Sequence, residues 1–172
     1  MDNALRLIYH YDKEKSMKIV IYYSLQGNCE FVANEIAKEL DIPAVRLVPD
    51  VDPPKKGFGM FFRGGGMVFM KKTPNLVGYD LDLNDYDTII LCSPVWAGMY
   101  VPAIRTFLSQ NDLSGKKLAI VASSAGGDDS KMMEAIARDS KADVIGKLSL
   151  ILPAKKPEEA KKKISEFCKS LI

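Results

Sequence analysis

An apolar run at 18–23 ends in Ser24-Leu25-Gln26-Gly27-Asn28-Cys29, and a helical pattern begins from Asn28. Ser24, Gln26, Asn28 and Cys29 carry groups that can hydrogen-bond, and Gly27 lets the backbone come close to a ligand. Where a helix opens, its first N–H groups lack intrahelical partners and its dipole favours an anion. The loop holds no lysine and matches neither G-x-x-x-x-G-K-[ST] nor G-x-G-x-x-G. Neither a nucleoside triphosphate nor a dinucleotide pyrophosphate is therefore expected. A phosphate monoester held by neutral donors fits. The plain alternative is a tight β–α turn with Asn28 as the helix N-cap.

Two further loops are rich in small and polar residues, at 93–98 and 123–127. The first carries Trp96, the one tryptophan of the chain, just past a strand end, where its π-face can stack on a flat ring. The alternative for Trp96 is an anchor in the core. Backbone donors at 97–100 can reach a ring edge, and Gly98 can turn its peptide at little steric cost. In the second, Ser123, Ser124, Gly126 and Gly127 leave room beside such a ring.

The elements that must position these loops alternate regularly. Residues 18–23 are β-branched and aromatic, as a buried strand requires. Val32, Ala33, Ile36, Ala37 and Leu40 then recur at helical spacing, until Pro43 closes the segment. Strands follow at 44–48, 87–93 and 116–123. Pro102 opens a helix through Ile104, Phe107 and Leu108, at a position where its missing N–H costs nothing. Met132, Met133, Ile136 and Ala137 mark another helix. At 143–152, alternation sets Val144, Gly146, Leu148, Leu150 and Leu152 on one face of a strand at the sheet edge. The last helix starts near Pro157, with Glu158 and Glu159 at the positive end of its dipole. Strand then helix, five times, predicts an α/β fold, a doubly wound five-stranded parallel sheet with right-handed crossovers. Ligands of such sheets bind at the switch point, where the three loops fall.

The totals agree with one domain over 17–172. Met17 directly precedes the first strand, so 1–16 reads as an optional N-terminal extension. With 47% hydrophobic and 27% charged residues the chain has the composition of an ordinary soluble globule. A formal net charge of +2 gives no cause to expect nucleic acid or an acidic membrane as partner. The lysines at 161–163 read as the solvated face of a helix. Cys29, Cys92 and Cys168 form no C-x-x-C pair and are odd in number, against a zinc or disulfide framework and for a reducing cytoplasm. With His10 as the single histidine, no metal site is expected. The N-terminal sequence does not read as a signal peptide, and no run approaches the ~20 apolar residues of a membrane span. Pairing into a homodimer is left open.

The first loop resembles the phosphate loop of the flavodoxin family, T/S-x-T-G-N-T before an apolar helix. Ser24, Gly27 and Asn28 match, and Gln26 and Cys29 stand where threonines are usual. The stretch SPVWAGMYVPAIRTFL at 93–108 is similar to the family's S/T-P-x-W-x-G…P-x-x-x-x-x-F-L segment, with Ser93, Pro94, Trp96, Gly98, Pro102, Phe107 and Leu108 in place. SSAGG at 123–127 resembles the small-residue loop after the fourth strand. This resemblance covers about residues 17–172 and implies a flavodoxin-like fold that binds FMN. Ser24, Gln26, Gly27, Asn28 and Cys29 would then meet the phosphate, and Ser93, Pro94, Val95, Trp96, Ala97 and Gly98 the ring. Ser123, Ser124, Gly126 and Gly127 would surround the pyrimidine end.

Two features depart from that pattern. Typical flavodoxins are strongly acidic, yet the isoelectric point here is near 8.3, which weakens steering toward a basic partner. Cys29 at a helix N-terminus is expected to have a lowered thiol pKa. A phosphate beside it would oppose that, which favours a passive donor role.

Residues 49–86, between the second and third strands, exceed the dozen or so that a crossover needs, and read as a long insertion. Phe58, Met60, Phe61, Phe62, Met67, Val68, Phe69 and Met70 are many apolar side chains for a free loop. The first expectation is a short crossover helix on the sheet with a glycine hinge at 64–66. A lid or partner surface at the ring, adaptable through Met and Gly, is the second. The lysines at 55, 56, 71 and 72 permit a third, contact with a membrane surface.

The resulting functional expectation is an electron carrier, with FMN moving electrons between soluble redox partners and no catalytic residue in the chain itself. The alternative is an FMN-dependent NAD(P)H or quinone reductase. A phospho-receiver of the same topology is excluded on residues. It needs an aspartate ending the third strand and an acidic pair after the first, where Ser93 and Tyr23-Ser24 stand.

Overall fold

The computed structural model describes residues 17–54 and 57–172. The expected extension at 1–16, with His10, and Lys55 and Lys56 lie outside the described residues, as do the side chains of Phe58, Met60 and Phe61. Strands β1 (Lys18–Tyr22), β2 (Ala44–Arg46), β3 (Thr88–Trp96), β5 (Lys117–Ser124) and β6 (Asp143–Ile151) lie parallel in the order β2-β1-β3-β5-β6. The two-residue β4 (Met99–Tyr100) pairs antiparallel with the end of β3. The helices are α1 (Asn28–Leu40), α2 (Phe58–Phe69), α3 (Pro102–Gln110), α4 (Ser130–Ser140) and α5 (Pro157–Ser170). This is the doubly wound five-stranded parallel sheet that the alternation predicts.

The central strands are buried on both faces, which is why they read as unbroken apolar runs. Ile19 stands opposite Ile89, and Ile21 opposite Leu91. These side chains, with Leu118 and Ile120, form one core with Ile104 and Phe107 of α3 and Met132 and Ile136 of α4. Val20, Ile90, Cys92, Ala119 and Val121 form the other, with Val32 and Ile36 of α1 and Ile164 and Phe167 of α5. No helix among the described residues is long and apolar enough to cross a membrane.

Three expectations need correction. The edge strand does not present one apolar face. A bulge between Leu118 and Ala119 pairs Val144 with Leu118 but Gly146 with Ala119, leaving Ile145 as the extra residue. Val144 therefore joins the first core, and Leu148 and Leu150 the second. Gly146 lies where a Cβ would come 3.1 Å from Cε2 of Phe167, so α5 rests directly on the strand. Next, the third strand runs past residue 93 to Trp96, because Ala97 and Gly98 (φ 49° and 75°) turn it back onto β4. Positive φ at both central residues is what a two-residue hairpin with the right twist demands. Finally, no hinge forms at 64–66: α2 runs unbroken through the three glycines.

Candidate functional site

Beyond the end of β1, Tyr23 is buried and donates its hydroxyl to Asp52 Oδ1 at 2.7 Å. Burial first, and the adjacent Asp52 second, push its phenol far above the ordinary range, so it remains a neutral donor. Ser24 is also buried; its Oγ accepts the Gly27 N–H at 3.1 Å and its carbonyl accepts from Arg46 Nη2 at 2.8 Å. Arg46 also reaches Glu30 at 3.4 Å. The loop is thus braced from behind by a guanidinium while its open side carries neutral groups.

The N-cap of α1 is Gly27 (φ 89°), not Asn28. Its left-handed conformation suits glycine. The helix then starts one residue earlier than it would with an asparagine cap, so the first N–H groups, from Asn28 onward, are the ones without intrahelical acceptors. Asn28 uses its Oδ1 to accept the Ala154 N–H at 3.2 Å, joining the loop after β6 to the site.

Cys29 corrects another expectation. Its thiol is 1% exposed and is pushed up to about 12, because burial outweighs the hydrogen bond with Ser123 that works the other way. A helix N-terminus does not make a thiolate where water is excluded. Cys29 instead ties the first loop to the third. Cys92 and Cys168 are likewise free and buried.

The three loops converge on one cleft of about 390 Å³, within the roughly 300–1,000 Å³ usual for small-molecule sites. Ser24, Gln26, Asn28 and Cys29 line it from the first loop, Pro94, Val95, Trp96 and Ala97 from the second, and Ser123 and Ser124 from the third. Among the described residues no charged side chain lines it. The remaining expected residues stand behind this wall. Gly27 and Gly98 make turns, and Ser93 is buried with its hydroxyl donating to the Pro94 carbonyl at 2.9 Å. Gly126 and Gly127 (φ 130° and 104°) carry the chain away from β5, with the Gly126 N–H on Ser124 Oγ at 3.3 Å.

Leu25, Ala125, Leu152, Gly64 and Gly65 also line the cleft, and the sequence reading did not assign them. The glycines were visible as a run, but their partner was not. A Cβ at Gly64 would meet Cε3 of Trp96 at 3.3 Å, so the small residue lets α2 close over the indole. Trp96 is half-buried. Its ring also stands edge-on to Tyr23, with centroids 5.7 Å apart and planes at 87°. It is therefore both anchored and part of the cleft wall.

A doubly wound sheet with a neutral cleft at the β1/β3 switch point defines a small-molecule-binding α/β protein, a rule of which the flavodoxin order is itself a standing example. Over residues 17–166 the chain matches the family described as Flavodoxin, and it belongs to that family. Among solved structures it is similar to a flavoprotein in complex with FMN from Lactobacillus acidophilus NCFM, at 21% identity and a TM-score of 0.68 over 83% of this chain and 97% of that one. The two-electron reduced flavodoxin of Megasphaera elsdenii is similar at 22% identity and a TM-score of 0.53, over 89% and 99% of the two chains. Oxidised flavodoxin 2 from Bacillus cereus is similar at 21% identity and a TM-score of 0.53, over 90% and 97%.

Proposed function

We propose that the chain is an FMN-binding electron carrier that shuttles electrons between soluble redox proteins of the cytoplasm, with 17–172 as its working unit. The carrying observation is the neutral cleft, in which the start of α1 and the indole of Trp96 line the same volume. FMN offers an anionic phosphate and a flat ring, and the donor set suits both ends. Ser24, Gln26, Asn28 and the first amides of α1 would hold the phosphate without a cationic side chain. Trp96, with Pro94, Val95 and Ala97, would lie at the ring, and Ser123 and Ser124 at its polar edge. Membership of the flavodoxin family and the FMN complex of the Lactobacillus neighbour support the choice.

When bound, FMN supplies the one- and two-electron chemistry. The chain itself orients the ring, shields it and offsets the phosphate charge. Among the described residues no carboxylate, imidazole or amine lines the cleft to move a proton, and no catalytic side chain is assigned. The test is an absorbance spectrum of the purified protein with chromatography of the acid-released cofactor, followed by anaerobic titration with dithionite. About one FMN per chain is expected. Recovery of FAD, or no flavin after incubation with FMN, overturns the reading. A second reading, an FMN-dependent NAD(P)H or quinone reductase, is favoured by one observation, a second cleft that shares Ala97 with the first. Rapid flavin reduction by NADPH alone would select it.

A further inference from the structure

The second cleft measures about 530 Å³ and is built from the end of α2, the β3–β4 hairpin and helices α3 and α4. Its charged lining is Lys71, Arg105, Arg138 and Asp139, three cations against one carboxylate. Asp139 is already engaged, accepting from Arg138 Nε at 2.9 Å and from the Tyr100 hydroxyl at 2.6 Å. Arg105 stacks over the Tyr100 ring at 4.9 Å, and its buried Nε has no hydrogen-bond partner. Among the described residues neither Arg105 nor Lys71 stands in an ion pair. Arg105 Nη1 donates to the Tyr100 hydroxyl at 3.5 Å, so Asp139 faces both arginines. The cleft lining is left with an excess of cations, and arginine forks match phosphate oxygens in pairs.

The apolar part of the cleft points the same way. Phe69 closes α2 with 89% of its surface exposed, beside Met99. An aromatic ring held in water next to a cationic pocket gains most from a flat ring that carries an anion.

We propose that this cleft binds a phosphorylated nucleotide, its phosphate between Lys71, Arg105 and Arg138 and its base against Phe69. The site is separate from the flavin cleft, sharing Ala97 with it among the described residues, and stands whether or not FMN fills the first one.

The test is calorimetric titration of the full chain, with and without FMN, using AMP, adenosine and inorganic phosphate as probes. The Arg105 Nε–H signal is followed by NMR alongside. AMP is expected to bind and shift that signal, while adenosine and phosphate bind more weakly. Arg105→Gln and the exposed Lys71→Gln should each weaken AMP by about tenfold, with FMN affinity kept. Asn28→Ala should do the reverse, which separates failure here from failure of the FMN reading. The Lys71 variant decides the matter if Arg105→Gln does not fold. No AMP binding, loss of AMP only in Asn28→Ala, or phosphate binding as tightly as AMP overturns the proposal.

Discussion

A Cβ placed on Gly64 would stand 3.3 Å from Cε3 of Trp96. The helix between β2 and β3 is therefore seated on the aromatic wall of the cleft, and the contact depends on a missing methyl group.

Gly64→Ala separates this contact from helix propensity. Alanine gains about 0.5–1 kcal/mol over glycine inside a helix, and overpacking costs about 1–3 kcal/mol. Gly66→Ala is the control, since nothing lies within 4 Å of its added Cβ. Urea denaturation should find Gly66→Ala more stable than the parent and Gly64→Ala less stable than Gly66→Ala by about 1–3 kcal/mol. The emission of Trp96 should shift only in Gly64→Ala. Equal stability of the two variants would mean that the indole yields freely.

The phosphate loop gives a ligand-selective prediction. Asn28 spends its Oδ1 on Ala154, which leaves the amide NH₂ as its donor. Asn28→Ala should weaken FMN by about tenfold and riboflavin much less, since a hydrogen bond to a charged group is worth about 1.5–3 kcal/mol. Asn28→Asp keeps an acceptor for Ala154 but sets a negative charge beside the phosphate, so its loss should be greater. Equal weakening of both ligands in both variants would assign the loop to folding alone.

How far the sequence carries the fold is visible in these same residues. The central strands and α1 are written in local periodicity, and the three loops follow from where strands end. Pro102 acts locally and is legible too, whereas the cap falls on Gly27 and not on the expected Asn28. The flipped face of β6 is not, because Ile145 becomes a bulge only through its register with β5. Gly64 reads as a hinge until Trp96, distant in the sequence, is brought against it. A lowered thiol pKa is expected of Cys29 because helix position is local, whereas its burial is supplied by the rest of the chain.

That burial sets a pH dependence. The thiol of Cys29 is pushed up to about 12 and that of Cys168 to about 11, both chiefly by desolvation. Tyr100 is also raised, to about 12, by burial and then by its bond to Asp139. An unfolded thiol titrates near ~8.5 and a tyrosine near ~10. All three groups hold their protons more tightly when folded, so their contribution is complete below those values and is lost as pH climbs toward 11–12. Thermal melts should be flat from about pH 7 to 8 and fall steadily above about pH 9, less steeply in Cys29→Ala. Rapid native-state labelling of Cys29 by a thiol reagent at pH 8 would contradict the buried, protonated thiol.

Trp96 is the residue at which anchoring and stacking must be told apart. The structure gives it both duties, since Tyr23 and Gly64 hold its ring while it lines the cleft. If FMN lies in that cleft, binding should quench the emission of this single tryptophan strongly. Trp96→Ala should weaken FMN and riboflavin alike, because both carry the ring, and Trp96→Phe should restore part of the loss through its remaining π-face. A fully buried tryptophan would lose about 3–5 kcal/mol of stability on truncation. Half-buried, Trp96 should lose roughly half of that in the apoprotein, a cost that Phe also reduces. The two effects separate in the Phe variant, where folding recovers through packing and ligand selectivity through stacking. A holoprotein with unquenched emission, and a Phe variant that regains stability but no flavin affinity, would leave Trp96 as an anchor and place the ring against another wall of the cleft.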